Sequence, residues 1–529
     1  MGAGPERAAD TQVIGQVAGA TRLRHAHTCH VGVSAPMSAR PKEQPVMTNI
    51  PQLTTDLFLG GHWMGSSAGT LTTYNPATAE AITDIAAAGE ADVDQAVRAA
   101  TTALHGEWAA TAPSMRGVLL NKLADLVERD AQILGTLESL DMGALLSVTQ
   151  GFFVPDLIAT LRYYAGWADK INGHTLPNNG YIGQSVLSYT IREPVGVIAA
   201  IVPWNSPLMV LGWKLAPALA SGNTVIVKPA EDASLSILHL GKLIEEAQFP
   251  AGVVQVLPGR GSVAGEALAK HPGVHKVSFT GSVEVGRWIL RNSAGNLKRT
   301  TLELGGKSPQ IIFGDADIEA AVMGTAAGLF LNSGQVCAAG TRVFVHRSVL
   351  DTVLDGLRAA ASAQVLGSPF EETTTMGPLV NSAQKERVLG YAAKGSAEGA
   401  TLVAGGGSPE GTGHFVEPTL FTGTNDMAIA REEIFGPVGI VVPFDDDAEA
   451  VAQANNSDYG LAATVWTGDV SRAHEVAAKL QAGAVGVNGW APGGPQMPWG
   501  GVKSSGLGRE LGYEGILADT EVKTVSVIV

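Results

Sequence analysis

Between residues 195 and 294 the chain alternates short β-branched apolar runs with amphipathic segments. VGVIAAIV (195–202), TVIVKP (224–229), VVQVLPG (253–259) and KVSFTG (276–281) are bounded by Pro or Gly and have strand length. Between them, 208–221, 234–248 and 262–270 read as helices. The alternation repeats further on: SPQIIF (308–313), a helix at 317–331, RVFVH (342–346), a helix at 348–363, then IFGPVGIVVPF (434–444) and AVGVN (484–488). Strand and helix in turn at this spacing predict parallel, doubly wound sheets, so the fold class is α/β with two such domains. Upstream, LFLGGHWMGSS (57–67) reads as a strand hairpin. A helical period runs from Asp92 to about Val148, with Val93, Ala96, Val97 and Ala100 on one face, and another covers roughly 156–170. YIGQSVLSYTIREPVG (181–196) alternates like a partly exposed strand hairpin.

A chain of 529 residues exceeds one compact core. A net charge of −15 argues against a nucleic-acid partner, since phosphate binding needs clustered Lys and Arg. The apolar runs are far short of a bilayer span, so no membrane role is expected. Two cysteines, Cys29 and Cys337, cannot make a disulfide framework, which fits a reducing, cytoplasmic setting. Residues 1–46 mix Arg, His, Gly and Pro without period and lack the apolar core of a signal peptide. They read as a disordered extension, with Met47 as the natural start. No metal constellation stands out; His25, His27 and His30 fall in that extension.

Cys337 sits in a polar, small-residue run (NSGQVCAAGTR, 332–342) after an apolar helix (VMGTAAGLFL, 322–331). Such a run is a turn of the kind that presents nucleophiles, although a lone Cys is also a common buried apolar residue. A thiol needs a base or a favourable dipole to attack. Glu303 is a candidate base: it ends an apolar strand, and two glycines follow (TTLELGG, 300–306). The G-x-G-x-x-G dinucleotide fingerprint is absent; GRGSVAG (259–265) misses it by one residue. GSVEVGR (281–287) has Arg287 where a P-loop needs Lys. FTGS instead ends a strand just before a helix, where Gly281 allows close approach and free N–H groups suit a pyrophosphate. Ser282 there is equally an ordinary N-cap. Lys228 and Glu231 follow a strand at its carboxyl end, where a ribose would sit; unaided, such residues are usually solvated surface.

ELGGKSP (303–309) and GQVC (334–337) are accompanied by VPWN (202–205), VKPAE (227–231), FTGSVEVG (279–286), EEIFGPV (432–438) and PWGGVKSSGLGRELG (498–512). Together and in this order they resemble the signatures of the NAD(P)-dependent aldehyde dehydrogenase superfamily, over about the whole chain after residue 50. The resemblance implies a cofactor domain from 51–173 and 194–304 and a catalytic domain at 305–511. Strands at 174–193 and 512–529 would bridge subunits of a homodimer or homotetramer, leaving 1–50 as the extension. It also implies that Lys228 and Glu231 grip the adenosine ribose, while Glu433 and Phe435 hold the nicotinamide ribose and ring. Val202, Pro203, Trp204, Gly261, Gly265, Phe279, Thr280, Gly281, Ser282, Val285, Leu304 and Gly305 would line the rest of the cofactor path. The Glu231 carboxylate would accept from a ribose 2′-OH and repel a 2′-phosphate, so NAD is expected over NADP; Lys228 partly offsets that repulsion.

The implied chemistry is aldehyde oxidation. Cys337 attacks the carbonyl, and Asn205 with the Cys337 backbone N–H supports the oxyanion, a type of contact worth roughly 3–4 kcal/mol. Hydride leaves to NAD, and Glu303 activates water to release a free acid. Glu510 is implied as a proton relay, against the plain alternative of a surface acid beside Arg509. Lys307 reads as structural or solvated. The tunnel would be lined by Asp156, Ser206, Met209, Trp213, Val336, Ala338, Trp490, Gly493 and Trp499. Ser206 and Gly493 stand where many relatives have phenylalanine, which widens it. Tryptophans with Asp156 suit an amino or betaine-type aldehyde, through cation–π contact, or an aromatic one. Asp156, following Pro155, also fits a simple helix cap. Two other readings use the same chain: a thiol esterase that needs no cofactor, and a non-catalytic scaffold.

Overall fold

The computed structural model describes residues 52–180, 182–490 and 493–529. The extension, Cys29 and the histidines at 25, 27 and 30 lie outside the described residues.

The first sheet has eight strands. Its centre is parallel, in the order Arg299–Leu304, Lys276–Gly281, Val197–Ile201, Thr224–Lys228, Val254–Val256. The hairpin Leu57–Leu59 with His62–Met64 adds antiparallel strands at one edge, turning through Gly60 and Gly61, both at positive φ. The central strands are buried on both faces, which is why they read as unbroken apolar runs rather than alternating ones. Helix Glu90–His105 packs Val93, Ala96, Val97 and Ala100 into the core beneath this sheet.

The second sheet has seven strands, ordered Thr401–Ala404, Thr419–Thr422, Val438–Phe444, Arg342–His346, Pro309–Ile312, Ala462–Trp466, Ala484–Val487, parallel except at the first. Two apolar clusters pack with its strands, one centred on Ile311, Phe344 and Ile440 and one on Ile312, Val343 and Val441. A small sheet joins Thr520–Ile528 to Val186–Pro194 and Thr175–Leu176.

Four local expectations are corrected. The helical stretch from Asp92 to Val148 is several helices, because Gly106 ends the first, Pro113 opens another and Asp130 separates that one from Ala131–Met142. The segment 181–196 is not a hairpin in itself; only Val186–Pro194 is a strand, and its partners are 175–176 and 520–528. The helix expected at 156–170 is Val154–Ala165, preceded by a π turn at Thr149–Phe153, and another π turn, Gly261–Gly265, opens the helix expected at 262–270.

The sheets meet the cleft differently. The first presents the carboxyl ends of its strands, carrying Asn205, Glu231, Ser282 and Glu303. The second presents loops before its strands begin, carrying Cys337 ahead of Arg342–His346 and Glu433 ahead of Val438–Phe444. The rule that ligands meet carboxyl ends therefore holds for only one of the two. Among the described residues no helix is long and apolar enough to cross a membrane.

Candidate active site

The nucleophile turn follows helix Ile318–Phe330, whose start is capped by Asp317 accepting from Ala320 N. Asn332, Ser333 and Gly334 are then left-handed in succession, with φ of 50°, 57° and 70°. A Cβ on Gly334 would lie 2.2 Å from the Gly436 oxygen, so only glycine fits. The side chains that keep this costly turn are local: Ser333 Oγ donates to Gly377 O at 2.7 Å, and the wholly buried Gln335 accepts from Val380 N at 2.9 Å. Cys337 emerges half-buried. Burial, then the nearby Glu303 and Glu433 carboxylates, push its thiol up to about 12.

Asn205 follows strand Val197–Ile201 and precedes helix Pro207–Ala220; its Nδ2 donates to Gln335 O at 2.9 Å. Glu303, near the end of Arg299–Leu304, is 3% exposed, and neither carboxylate oxygen has a hydrogen-bond partner. Burial and the neighbouring Glu510 hold it well above the usual carboxylate range, against the opposing Lys214 and Arg509 charges. Glu510 is no surface acid: it is buried, ion-paired with Lys214, and accepts from Ser278 Oγ at 3.1 Å. Lys214 was not singled out from the sequence. Its one signal is a lone cation in an otherwise apolar helix, PLMVLGWKLAPALA. Lys307 is buried with its amine unpartnered, not solvated.

A cavity of about 400 Å³ reaches Cys337, Asn205 and Glu303, and all nine tunnel positions expected from the sequence lie on its wall. Phe152, Phe153 and Met497 join them and were missed; the phenylalanines are delivered by the π turn. Asp156 is not a free acid, because Trp213 Nε1 donates to it at 2.8 Å. Burial raises its pKa, opposed by that hydrogen bond. Trp490 Nε1 donates to Ala338 O at 3.2 Å, and the Trp213 and Trp499 rings lie 6.1 Å apart.

A second groove, about 580 Å³, carries Val202, Lys228, Glu231, Gly261, Gly265, Phe279 and Val285. Glu231 accepts from Gly261 N at 2.6 Å. Lys228 is buried, which draws its pKa down to about 8, and it donates to Pro229 O. Ser282 caps helix Val283–Asn292 by accepting from Val285 N at 3.3 Å, so the plain N-cap role is present. An inner cleft of about 290 Å³ adds Ser282, Leu304, Gly305, Glu433 and Phe435 and touches Cys337. Pro203, Trp204, Thr280 and Gly281 line both, so one path runs from Glu231 to the nucleophile. Gly305 lets the Glu433 carboxylate lie against the backbone, because a Cβ there would sit 2.0 Å from Glu433 Oε2 and push that side chain aside. Glu433 accepts from Gly306 N at 3.0 Å, and burial pushes it up to about 7. Gln384, donating to Phe435 O, and Arg387, donating to Glu433 O, form an outer layer that the sequence did not reveal. A long path with a carboxylate, Glu231 and Glu433, toward each end fits NAD.

The sequence profile of the aldehyde dehydrogenase family matches residues 63–525. Human retinal dehydrogenase 2 is 47% identical over 481 residues, covering 89% of this chain and 92% of that protein. Human mitochondrial aldehyde dehydrogenase is 47% identical over 493 residues, covering 92% and 93%. Among solved structures, the NAD+ complex of an aldehyde dehydrogenase from Bacillus cereus aligns with a TM-score of 0.89 at 46% identity, covering 92% of this chain and 99% of that one. Betaine aldehyde dehydrogenase from Staphylococcus aureus with NAD+ aligns at 0.88 and 37% identity, covering 90% and 96%. The chain therefore belongs to the aldehyde dehydrogenase family and is an NAD-dependent aldehyde dehydrogenase.

Proposed function

We propose that this enzyme oxidises a bulky aromatic or amino aldehyde to the free carboxylic acid, through a thioester on Cys337 that water releases. The observation that carries this reading is that Cys337, Asn205 and Glu303 face one cavity, with the buried Glu303 carboxylate uncommitted to any hydrogen bond. The Cys337 thiol gives up its proton to water in the cavity, and the sulfur attacks the carbonyl carbon, whose π pair moves to the oxygen, to give a tetrahedral thiohemiacetal. One Asn205 Nδ2 hydrogen is bonded to Gln335 O, which leaves the other, with the Cys337 N–H, for the oxyanion. Lys228 and Glu231 would hold NAD at one end and Glu433 and Phe435 at the other, and when bound it would supply the hydride acceptor. Glu303 then takes a proton from the water that attacks the thioester, a role suited to a base raised by burial. Glu510, tied to Lys214, acts on the charge of Glu303 and is the group assigned to carry the proton onward.

The tunnel's wall of Phe152, Phe153, Trp213, Trp490 and Trp499 supports an aromatic substrate. The amino-aldehyde branch rests on Asp156, which has one oxygen engaged by Trp213. The strand Thr520–Ile528, at the edge of its sheet with exposed Val522, Val527 and Ile528, supports a homo-oligomer in which a partner covers it. The cytoplasmic assignment rests on cysteine usage alone.

The test is NADH formation across betaine aldehyde, aminobutyraldehyde, benzaldehyde, phenylacetaldehyde and hexanal, with Cys337→Ala as control. Turnover lost in that variant supports the thioester route, and the best aldehyde selects the branch. Ester hydrolysis without NADH from any aldehyde would remove the reading.

A further inference from the structure

The two oxyanion donors come from different halves of the molecule. Asn205 leaves the carboxyl end of a first-sheet strand, whereas the Cys337 N–H belongs to a loop that feeds the second sheet. Their separation must be fixed to a fraction of an ångström for both to reach one oxygen. The side chain that ties them is Asn332. Its Nδ2 donates to the backbone oxygen of Asn205 at 2.9 Å and lies 3.4 Å from Gln335 O, also as donor. Asn205 Nδ2 donates to that same Gln335 oxygen at 2.9 Å. One carboxamide thus grips the backbone on both sides of the cleft, and the catalytic amide closes the triangle. Gln335 locks its own corner, with Nε2 donating to Asn332 O at 3.1 Å and Oε1 accepting from Val380 N. Gln335 is wholly buried, and Asn205 and Asn332 keep only a small exposed face on the cavity wall, so the three are held by one another rather than by bulk solvent.

We propose that Asn332 is a positioning residue of the reaction, setting the distance between the Asn205 amide and the Cys337 N–H, with Gln335 O as the shared anchor. The inference rests on the reading of Asn205 and Cys337 N–H as oxyanion donors. The choice of residue follows from two demands. Position 332 is left-handed, at φ 50°, which Asn tolerates better than most residues. It must also deliver a donor to a carbonyl across the cleft, which Gly cannot.

Those demands separate in Asn332→Gly, which accepts the backbone and removes the carboxamide. In the full enzyme with NAD, this variant is expected to lower kcat about 10- to 100-fold, as misplacing one donor does, while KM for NAD and Tm change little. Alkylation of Cys337 by iodoacetamide should stay within about twofold, because the nucleophile is still presented. The decisive comparison is a double-mutant cycle with Asn205→Ala. If Asn332 acts through Asn205, adding Asn332→Gly to Asn205→Ala costs nothing further. Should Asn332→Gly melt well below the parent, Asn332→Asp keeps the volume, sets an acceptor against Asn205 O, and is expected to show the same loss and the same non-additivity. A kcat within about twofold of the parent, or a penalty that multiplies with that of Asn205→Ala, overturns the proposal. An Asn205→Ala enzyme with parental kcat overturns the donor reading itself, which is a separate outcome.

Discussion

Lys214 and Glu510 form an ion pair in the interior, 296 residues apart in sequence, and Glu510 in turn raises the pKa of Glu303. The proposed general base is therefore tuned by a carboxylate that a buried lysine holds in place. Breaking such a pair on one side leaves an uncompensated buried charge, a cost of about 3–5 kcal/mol. Lys214→Met should accordingly lower Tm by several degrees, read by calorimetry.

Glu510→Gln should shift the pH dependence of thioester hydrolysis. Glu303 works as the base only when ionised, so the rate rises with pH through its pKa. Glu510 raises that pKa by like-charge repulsion, and Lys214 opposes it. Removing the Glu510 charge while Lys214 remains moves the limb to lower pH, and loss of the relay lowers the plateau about 10-fold or more. Single-turnover hydrolysis followed across pH checks both, and a limb that moves to higher pH contradicts the assignment.

With Glu303→Gln, acyl transfer to Cys337 proceeds but release does not. Rapid mixing should show a burst of NADH near one equivalent per active site, then steady turnover reduced by about 10²- to 10⁴-fold. Loss of the burst itself would place Glu303 in the attack step instead.

Stability should fall as pH rises toward 8, partly through Glu138. This residue is fully buried in helix Ala131–Met142, and one oxygen accepts from Leu208 N at 2.9 Å, anchoring the helix that follows Asn205; the other oxygen is unpartnered. Burial pushes its pKa up to about 8, from an ordinary value of 4.5. The folded state keeps the proton through that window while the unfolded chain releases it, so stability is fully present below about pH 4.5 and is lost on the way to 8. Glu138→Gln removes this linkage, and the Tm difference between pH 5 and pH 8 should narrow.

Asp156→Asn tests the tunnel. If the carboxylate receives an ammonium group, kcat/KM for aminobutyraldehyde falls about 10-fold or more, while benzaldehyde stays within about threefold. Equal losses for both would assign Asp156 to holding the Trp213 indole.

Much of the site was legible because its residues sit in short local patterns. Cys337 lies in a polar turn after an apolar helix, Glu303 ends a strand before two glycines, and Trp213 and Trp499 flank or fall within the reactive motifs; Asp156 came only through the family resemblance. Phe152 and Phe153 were not legible, since a π turn inside a helical stretch has no clear sequence period. Gln384 and Arg387 were missed because they read as the polar face of helix Ser382–Ala397, and only folding sets them behind Phe435 and Glu433.

By itself the sequence determined the α/β alternation, the buried parallel strands of the first sheet, part of the second and the nucleophile turn, because apolar period and turn chemistry act over a few residues; the buried strands Thr419–Thr422 and Ala462–Trp466 were not picked out. Tertiary structure alone decided which charges are buried and paired. Glu510 has the look of a surface acid and Lys214 of a helix cation until the chain brings them together in a dry interior, where their interaction is no longer screened by water. It also decided that one sheet presents its carboxyl ends and the other its amino-side loops, so that Asn205 meets Gln335 from 130 residues away. Such contacts depend on topology, which no local pattern encodes.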